Sequence, residues 1–320
     1  MIRVPTILAV PLALVLVVTL APVQAMVTPM PGVVQQLVID SLAKPPAPPP
    51  VHLDVVYRRG VLRSHRLDIY APLGDDATER EQTGEGGAVA GGAAPVVVFF
   101  HGGSWVRGDK VTIRVVDRFL TRMREEGYYV VAVNYTTSVL RGLRGPVQNA
   151  QAAIDWIVEN ADAYQWDARR IGLYGVSAGG HVALMAASQM PPERFAFAFI
   201  ECAPTDLIAM RDGDAFEQSS VFRIFPERVL RELSPIHLVA GDLPPVLVFH
   251  GDADRVVHVN QSIAYVAALR SAGGTAELVI YPDGDHAFLG FPDHVWYQQE
   301  SRALDFFRRE FARREPVRAP

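Results

Sequence analysis

The sequence predicts an α/β fold: a mostly parallel central sheet flanked by helices on both faces, with a small helical cap after the sixth strand. Three observations carry this expectation. From residue 95 onward, short apolar runs alternate with longer segments of helical period. The runs are rich in Val, Ile and Phe on both alternating faces, as strands buried between two helical layers require. One of them, residues 171–174, stops at Gly175 and passes at once into a small-residue segment, residues 177–187. That is a strand turned sharply into a buried helix.

The N-terminus stands apart. Arg3 precedes an apolar run over residues 7–20, and Val23-Gln-Ala25 offers small residues for cleavage, which is the layout of a secretory signal peptide over residues 1–25. The alternative is an uncleaved membrane anchor, because residues 4–23 are almost long enough to span. Pro5, Pro11 and Pro22 weigh against such a helix. The mature chain is therefore expected to be exported, periplasmic or secreted, with no stable membrane insertion after cleavage. Residues 26–50 hold a helix with Val33, Val34, Leu37, Val38 and Leu42 on one face, then a stiff Pro-rich tether.

The main domain is expected over residues 51–315. Residues 52–57 and 66–70 form a hairpin. Residues 74–94, rich in Gly, Ala and acidic side chains, form a flexible insertion. Strands follow at 95–100, 128–133, 171–174, 195–200, 245–249 and 276–281, with helices at 111–126, 147–163, 261–272 and 293–313. Residues 205–243 interrupt the alternation; Met210, Phe216, Phe222, Ile224, Phe225, Leu230 and Leu233 make them too apolar for a linker, hence the cap. An apolar fraction of 49% supports one substantial core, and a net charge of −5 without a basic block excludes nucleic acid as a partner. No feature sets an oligomeric state. Cys202 is the sole cysteine, so no intrachain disulfide forms; it reads as a small hydrophobe in a buried strand.

Ligands of such sheets meet the carboxyl ends of the strands, so the loops there hold the chemistry. Gly175-Val-Ser-Ala-Gly179 has the G-x-S-x-G pattern of a turn that lifts Ser177 above the sheet, with Gly175 and Gly179 leaving room for the two backbones. A serine hydroxyl needs a base. His286 follows the last strand at the correct edge, whereas His52, His65, His181, His237 and His294 read as structural or surface residues. The base needs an anionic orienter, and Asp252 and Asp254 both follow the strand at 245–249. Asp254 stands further into the loop and reaches toward His286; Asp252 reads as a turn stabiliser. Gly102 and Gly103, in His101-Gly-Gly-Ser-Trp105, let backbone N–H groups turn inward to form an oxyanion hole with the N–H of Ala178. His101 and Trp105 read as supports of that loop.

With these four motifs in the order Ser, Asp, His, the chain resembles α/β-hydrolases. Within them it is similar to carboxylesterases related to hormone-sensitive lipase and to the feruloyl-esterase-like (BD-FAE) bacterial branch. The match runs from Val96 to about Phe311. The resemblance implies a triad of Ser177, Asp254 and His286, with Gly103, Ser104 and Ala178 donating to the oxyanion and no cofactor or metal. Ser104 departs from a third glycine common in relatives, and His258 from a proline. The expected activity is hydrolysis of small-molecule carboxylic esters with short to medium acyl chains. Arylformamidase or peptidase chemistry by the same triad is the nearest alternative, and a non-catalytic binding protein on the same fold is another. Metal-dependent hydrolysis by His250, Asp252, Asp254 and His258, or by Asp283, Asp285 and His286, is disfavoured because neither set has zinc-type spacing.

Overall fold

The computed structural model describes residues 48–314 apart from 60–62, 74–92, 138–141, 214–221 and 289. The signal segment, the amphipathic helix that follows it and nearly all of the 74–94 insertion lie outside the described residues. One sheet contains β1 (His52–Val56), β2 (Arg66–Tyr70), β3 (Ala94–Phe100), β4 (Tyr129–Val133), β5 (Trp166–Val176), β6 (Phe195–Glu201), β7 (Val246–Gly251) and β8 (Ala276–Tyr281). Their spatial order is β1-β2-β4-β3-β5-β6-β7-β8. The β1–β2 and β2–β4 pairs are antiparallel, so the expected hairpin forms; every other pair is parallel.

Among the described residues the helices longer than one turn are α1 (Asp117–Glu125), α2 (Arg144–Glu159), α3 (Ala178–Gln189), α4 (Leu207–Asp212), α5 (Glu227–Glu232), α6 (Asn260–Ser271) and α7 (Asp293–Ala312). The period of two along each strand divides the core into two layers. Val96, Val98 and Phe100 of β3 join the layer that contains side chains of α2, α3 and α6. Val97 and Phe99 face the other, with Phe119 of α1 and Phe306, Phe307 and Phe311 of α7. α3 is apolar all round and buried over residues 178–187, as a helix enclosed on every side must be.

Two segments differ from the sequence expectation for identifiable reasons. Residues 110–116 form a 3₁₀ segment rather than the first turns of a long helix. Asp109 caps it by accepting the Val111 N–H, and its β-branched Val111, Thr112, Ile113 and Val116 disfavour the wider α-turn. β5 starts at Trp166, well before the apolar run. The polar stretch that hides it is shifted in register against β3, and Asp167 there is held by Arg169 and Arg170.

Residues 205–243 contain α4, α5 and a 3₁₀ turn, Pro235–Leu238. Leu207, Met210, Phe222, Leu230 and Leu233 pack into the α3 layer, whereas Ile224 is 65% exposed. Asp206 caps α4 by accepting the N–H groups of Ile208 and Ala209.

Candidate active site

Six parallel strands, β3 to β8, end at one edge, and the loops after β3, β5, β6, β7 and β8 build the site while Tyr135 after β4 supports it. The turn from β5 to α3 places Ser177 at φ 55°, ψ −122°, a conformation that costs a non-glycine residue of order 1–3 kcal/mol. Its N–H is fixed by the Glu201 carbonyl at the end of β6, 2.7 Å away. Neither flanking glycine has a positive φ, so their requirement is steric. A Cβ on Gly175 would lie 2.4 Å from the Gly179 carbonyl oxygen, and one on Gly179 would lie 2.0 Å from that of Phe100. Gly179 thus seats α3 directly against the end of β3.

The loops after β7 and β8 meet at a second glycine pair. A Cβ on Gly251 would fall 2.0 Å from the Gly284 oxygen, and one on Gly284 would fall 2.8 Å from the Gly251 Cα. This approach brings Asp254 to His286, with Asp254 Oδ2 2.7 Å from His286 Nδ1. Since a carboxylate accepts, Nδ1 carries the proton, and the bare Nε2 faces Ser177 Oγ at 3.0 Å. That is the tautomer a general base needs.

Asp254 is 4% exposed. Burial alone would raise its pKa, but bonds from His250 and His286 outweigh this and hold the carboxyl well below the usual range. Its Oδ1 also accepts the N–H groups of Val256 and Val257, each at 2.8 Å. His250 Nε2 lies 2.7 Å from the Val257 carbonyl and 3.3 Å from Asp254 Oδ2, so this nitrogen is the donor. Nδ1 then accepts from the Ser262 hydroxyl at 2.6 Å. Asp252 accepts the Asp283 N–H at 2.7 Å and ties the two loops together, in keeping with a turn stabiliser.

The loop after β3 lies beside the serine. A Cβ on Gly102 would sit 3.5 Å from the Ser177 Cβ. Gly103, Ser104 and Trp105 have φ of 121°, 56° and 59°, and the Gly103 carbonyl accepts the N–H groups of Val106 and Arg107. Ser104 and Trp105 hold left-handed φ values that glycine would adopt more readily. Behind it, the Tyr135 hydroxyl donates to the His101 carbonyl at 2.5 Å, and the two rings stack. His101 Nδ1 donates to Gly102 O at 2.7 Å. Trp105 Nε1 donates to His181 Nδ1 at 3.2 Å, while His181 Nε2 donates to the Leu233 carbonyl at 2.7 Å. His181 therefore links the loop, α3 and the 205–243 segment, all from a buried position.

Cys202 is not within a strand. It follows β6 with φ 50°, fully buried, and its Sγ accepts the Ala287 N–H at 3.3 Å. Burial, then the charges of Asp254 and Glu201, raise its thiol pKa far above the ordinary value. Among the described residues, the ligand-type atoms that gather within 4.8 Å of one another belong to Cys202, Asp254 and His286. The His250–His258 set read from the sequence does not converge in this way: His258 Nδ1 accepts the Asn260 N–H within its own loop.

Ser177, Asp254 and His286 are thus joined by hydrogen bonds, Gly102 lies against Ser177, and Ala178 follows it at the start of α3, while Gly103 and Ser104 continue the loop after Gly102. The sequence reading passed over His250 as a partner of Asp254, the Gly251–Gly284 contact, and Glu201. Gly251 directly after His250, and Gly284 three residues beyond the strand-end Tyr281, were the available signals for the contact; nothing local marked Glu201.

The BD-FAE family model matches residues 87–269, more than half of the chain. Among curated relatives, the isoprenylcysteine alpha-carbonyl methylesterase ICME of Arabidopsis thaliana is 27% identical over 267 residues, covering 76% of this chain and 58% of that protein. Esterase LipC of Mycobacterium tuberculosis is 28% identical over 273 residues, covering 76% and 64%. The chain therefore spans less than two thirds of the length of these relatives. Among solved structures, a carbohydrate esterase from gut microbiota aligns with TM-score 0.65 at 22% identity over 82% of this chain and 96% of that one. Esterase B from Lactobacillus rhamnosis aligns with TM-score 0.68 at 20% identity over 92% and 95%. At such identities the structures speak for the fold, and the family match speaks for descent: the chain has the α/β-hydrolase fold and belongs to the BD-FAE family.

Proposed function

We propose that this protein is a serine hydrolase that cleaves small-molecule carboxylic esters through an acyl-enzyme on Ser177. The observation that carries this reading is the unbroken hydrogen-bond path from Asp254 through His286 to Ser177 Oγ, with the unprotonated Nε2 3.0 Å from the hydroxyl. His286 takes the serine proton as Oγ attacks the carbonyl carbon and then delivers it to the departing alcohol. Asp254 fixes the ring and stabilises the imidazolium. The N–H groups of Gly103, Ser104 and Ala178 receive the oxyanion, and Gly102 keeps the loop close to the serine; one such donor is worth about 3 kcal/mol in the transition state. A water activated by the same histidine releases the acid. Relatives named as esterases support ester rather than amide chemistry. The short helices of residues 205–243 suit short to medium acyl chains, and the N-terminal apolar segment suits export.

Ser177→Ala is expected to lower kcat/KM for p-nitrophenyl acetate by at least about 10⁴-fold and to abolish fluorophosphonate labelling. Full activity in that variant would exclude the mechanism. A chain-length series peaking at dodecanoate or beyond would exclude the acyl preference, and an N-terminus other than Met26 on the exported protein would exclude cleavage after Ala25.

A further inference from the structure

A second acid lies beneath the elbow. Glu201 ends β6, and its carbonyl holds the Ser177 N–H. Its side chain enters a cavity of about 10 Å³ in the α1–α7 layer, shared with Tyr174, Gln299 and Glu300 and walled by aromatic rings. The Tyr174 hydroxyl donates to Glu201 Oε2 at 2.9 Å. Gln299 is 2% exposed, and neither atom of its amide meets a partner among the described residues. A buried amide unpaired at both ends is costly, and a cavity of this size is about that of one water.

We propose that Glu201 is a hydrated carboxyl beneath the nucleophile elbow and a positioning residue for the Ser177–His286 reaction, its negative charge steadying the His286 imidazolium. The idea rests on the ester-hydrolase reading and adds a residue to it. Glu201 faces Tyr174 from β5 and Glu300 and Gln299 from α7. Cys202 is next to it in the chain, and Tyr281 of β8 lies within reach of its charge. Arg118 and Arg122 of α1 bind Glu300 at 3.0 and 3.1 Å, so Glu300 is already paired, while among the described residues no cation bonds Glu201. The Glu201 charge bears on the Cys202 thiol, whose sulfur lies within 4.8 Å of His286 and Asp254. Burial raises the Glu201 pKa to about 7, against the Tyr174 bond and with the charge of Glu300 adding to the rise. The carboxyl therefore changes charge in the neutral range. Once ionised, it favours positive charge on a nearby imidazole in a medium of low dielectric.

Glu201→Gln keeps the shape and an acceptor for the Tyr174 hydroxyl. Its kcat for p-nitrophenyl acetate is expected to fall about fivefold with KM unchanged, and the acid limb of kcat to move down by about 0.7 pH unit, the same interaction read twice. Tyr174→Phe removes only the hydroxyl that favours the ionised acid. Its activity is expected to approach the Glu201→Gln level at pH 7 and to recover by pH 9. Profiles of both variants that superimpose on the parent would overturn the proposal, and Tyr174→Phe decides alone if Glu201→Gln does not fold. Fluorophosphonate titration separates the two levels. An unlabelled parent protein would remove the ester-hydrolase reading, whereas full labelling with unmoved pH profiles would remove only the role of Glu201.

Discussion

At the scale of single residues, the site depends on close approaches that only an absent side chain allows. Gly179 is the sharpest case, because its missing Cβ is where the Phe100 and His101 carbonyl oxygens lie, at 2.0 and 2.4 Å. Gly179→Ala must push α3 away from the β3 loop, and a displacement near 1 Å at a reacting centre costs on the order of 100-fold in rate. Gly145→Ala provides the contrast, since a Cβ there meets nothing nearer than Thr136 at 3.8 Å. That variant sits in the first turn of α2 and should retain full activity with equal or slightly greater stability. Rates and urea midpoints of both variants check the pair; equal behaviour would refute the steric account. Much of this scale was legible. The G-x-S-x-G spacing implied the clash between Gly175 and Gly179, and the chain order of Asp254 and His286 implied their loops. Glu201 was not legible, because its neighbours Tyr174 and Gln299 lie far away in sequence; His250 stands only four residues before Asp254, but nothing in the sequence marks its ring as turned back onto that carboxylate.

At the scale of elements, the sheet was readable wherever strands were apolar on both faces and was obscured where charge pairing replaced apolar burial. Residues 95–100 and 195–200 show the first case; the start of β5, with Asp167 held by two arginines, shows the second. The long helix expected from residue 111 failed for a local reason, a run of β-branched residues behind an Asp cap. α7 was legible from its periodicity, and its aromatic face explains why it closes the fold. Phe307 stacks on Phe197 at 4.4 Å between ring centres and also meets Phe119 and Phe199. Phe307→Ala is expected to cost about 3–5 kcal/mol, because it removes a buried ring from the middle of that layer. Urea unfolding measures it, and a loss below about 1 kcal/mol would mean that α7 is not an integral part of the core.

At the scale of the whole molecule, the buried titratable groups pull stability in opposite directions with pH. His101 and His181 are buried neutral, and burial lowers each from 6.5 to about 4, partly offset by their bonds to backbone carbonyls. Between those values the unfolded chain binds more protons than the native one, so stability falls as the pH drops, by about 3 kcal/mol for each histidine. Glu201 has the opposite sign. Burial raises it from 4.5 to about 7, so the native protein binds the extra proton in that window and gains about 3 kcal/mol as the pH drops through it. Asp254, depressed by its histidine partners, contributes stability above the unfolded carboxylate value near 3.8 that is lost only as the pH falls below it. Between pH 7 and pH 4, two histidines therefore work against one glutamate, and these three groups together leave a loss of about 3 kcal/mol. In Glu201→Gln the counterweight is gone, and the loss over the same range should roughly double, with the variant gaining on the parent protein at pH 8. Urea unfolding at pH 8, 7, 6, 5 and 4 on both proteins tests this. Equal slopes would show that Glu201 is ionised throughout, and a parent protein that grew more stable toward pH 4 would show that the two histidines are not held neutral by burial.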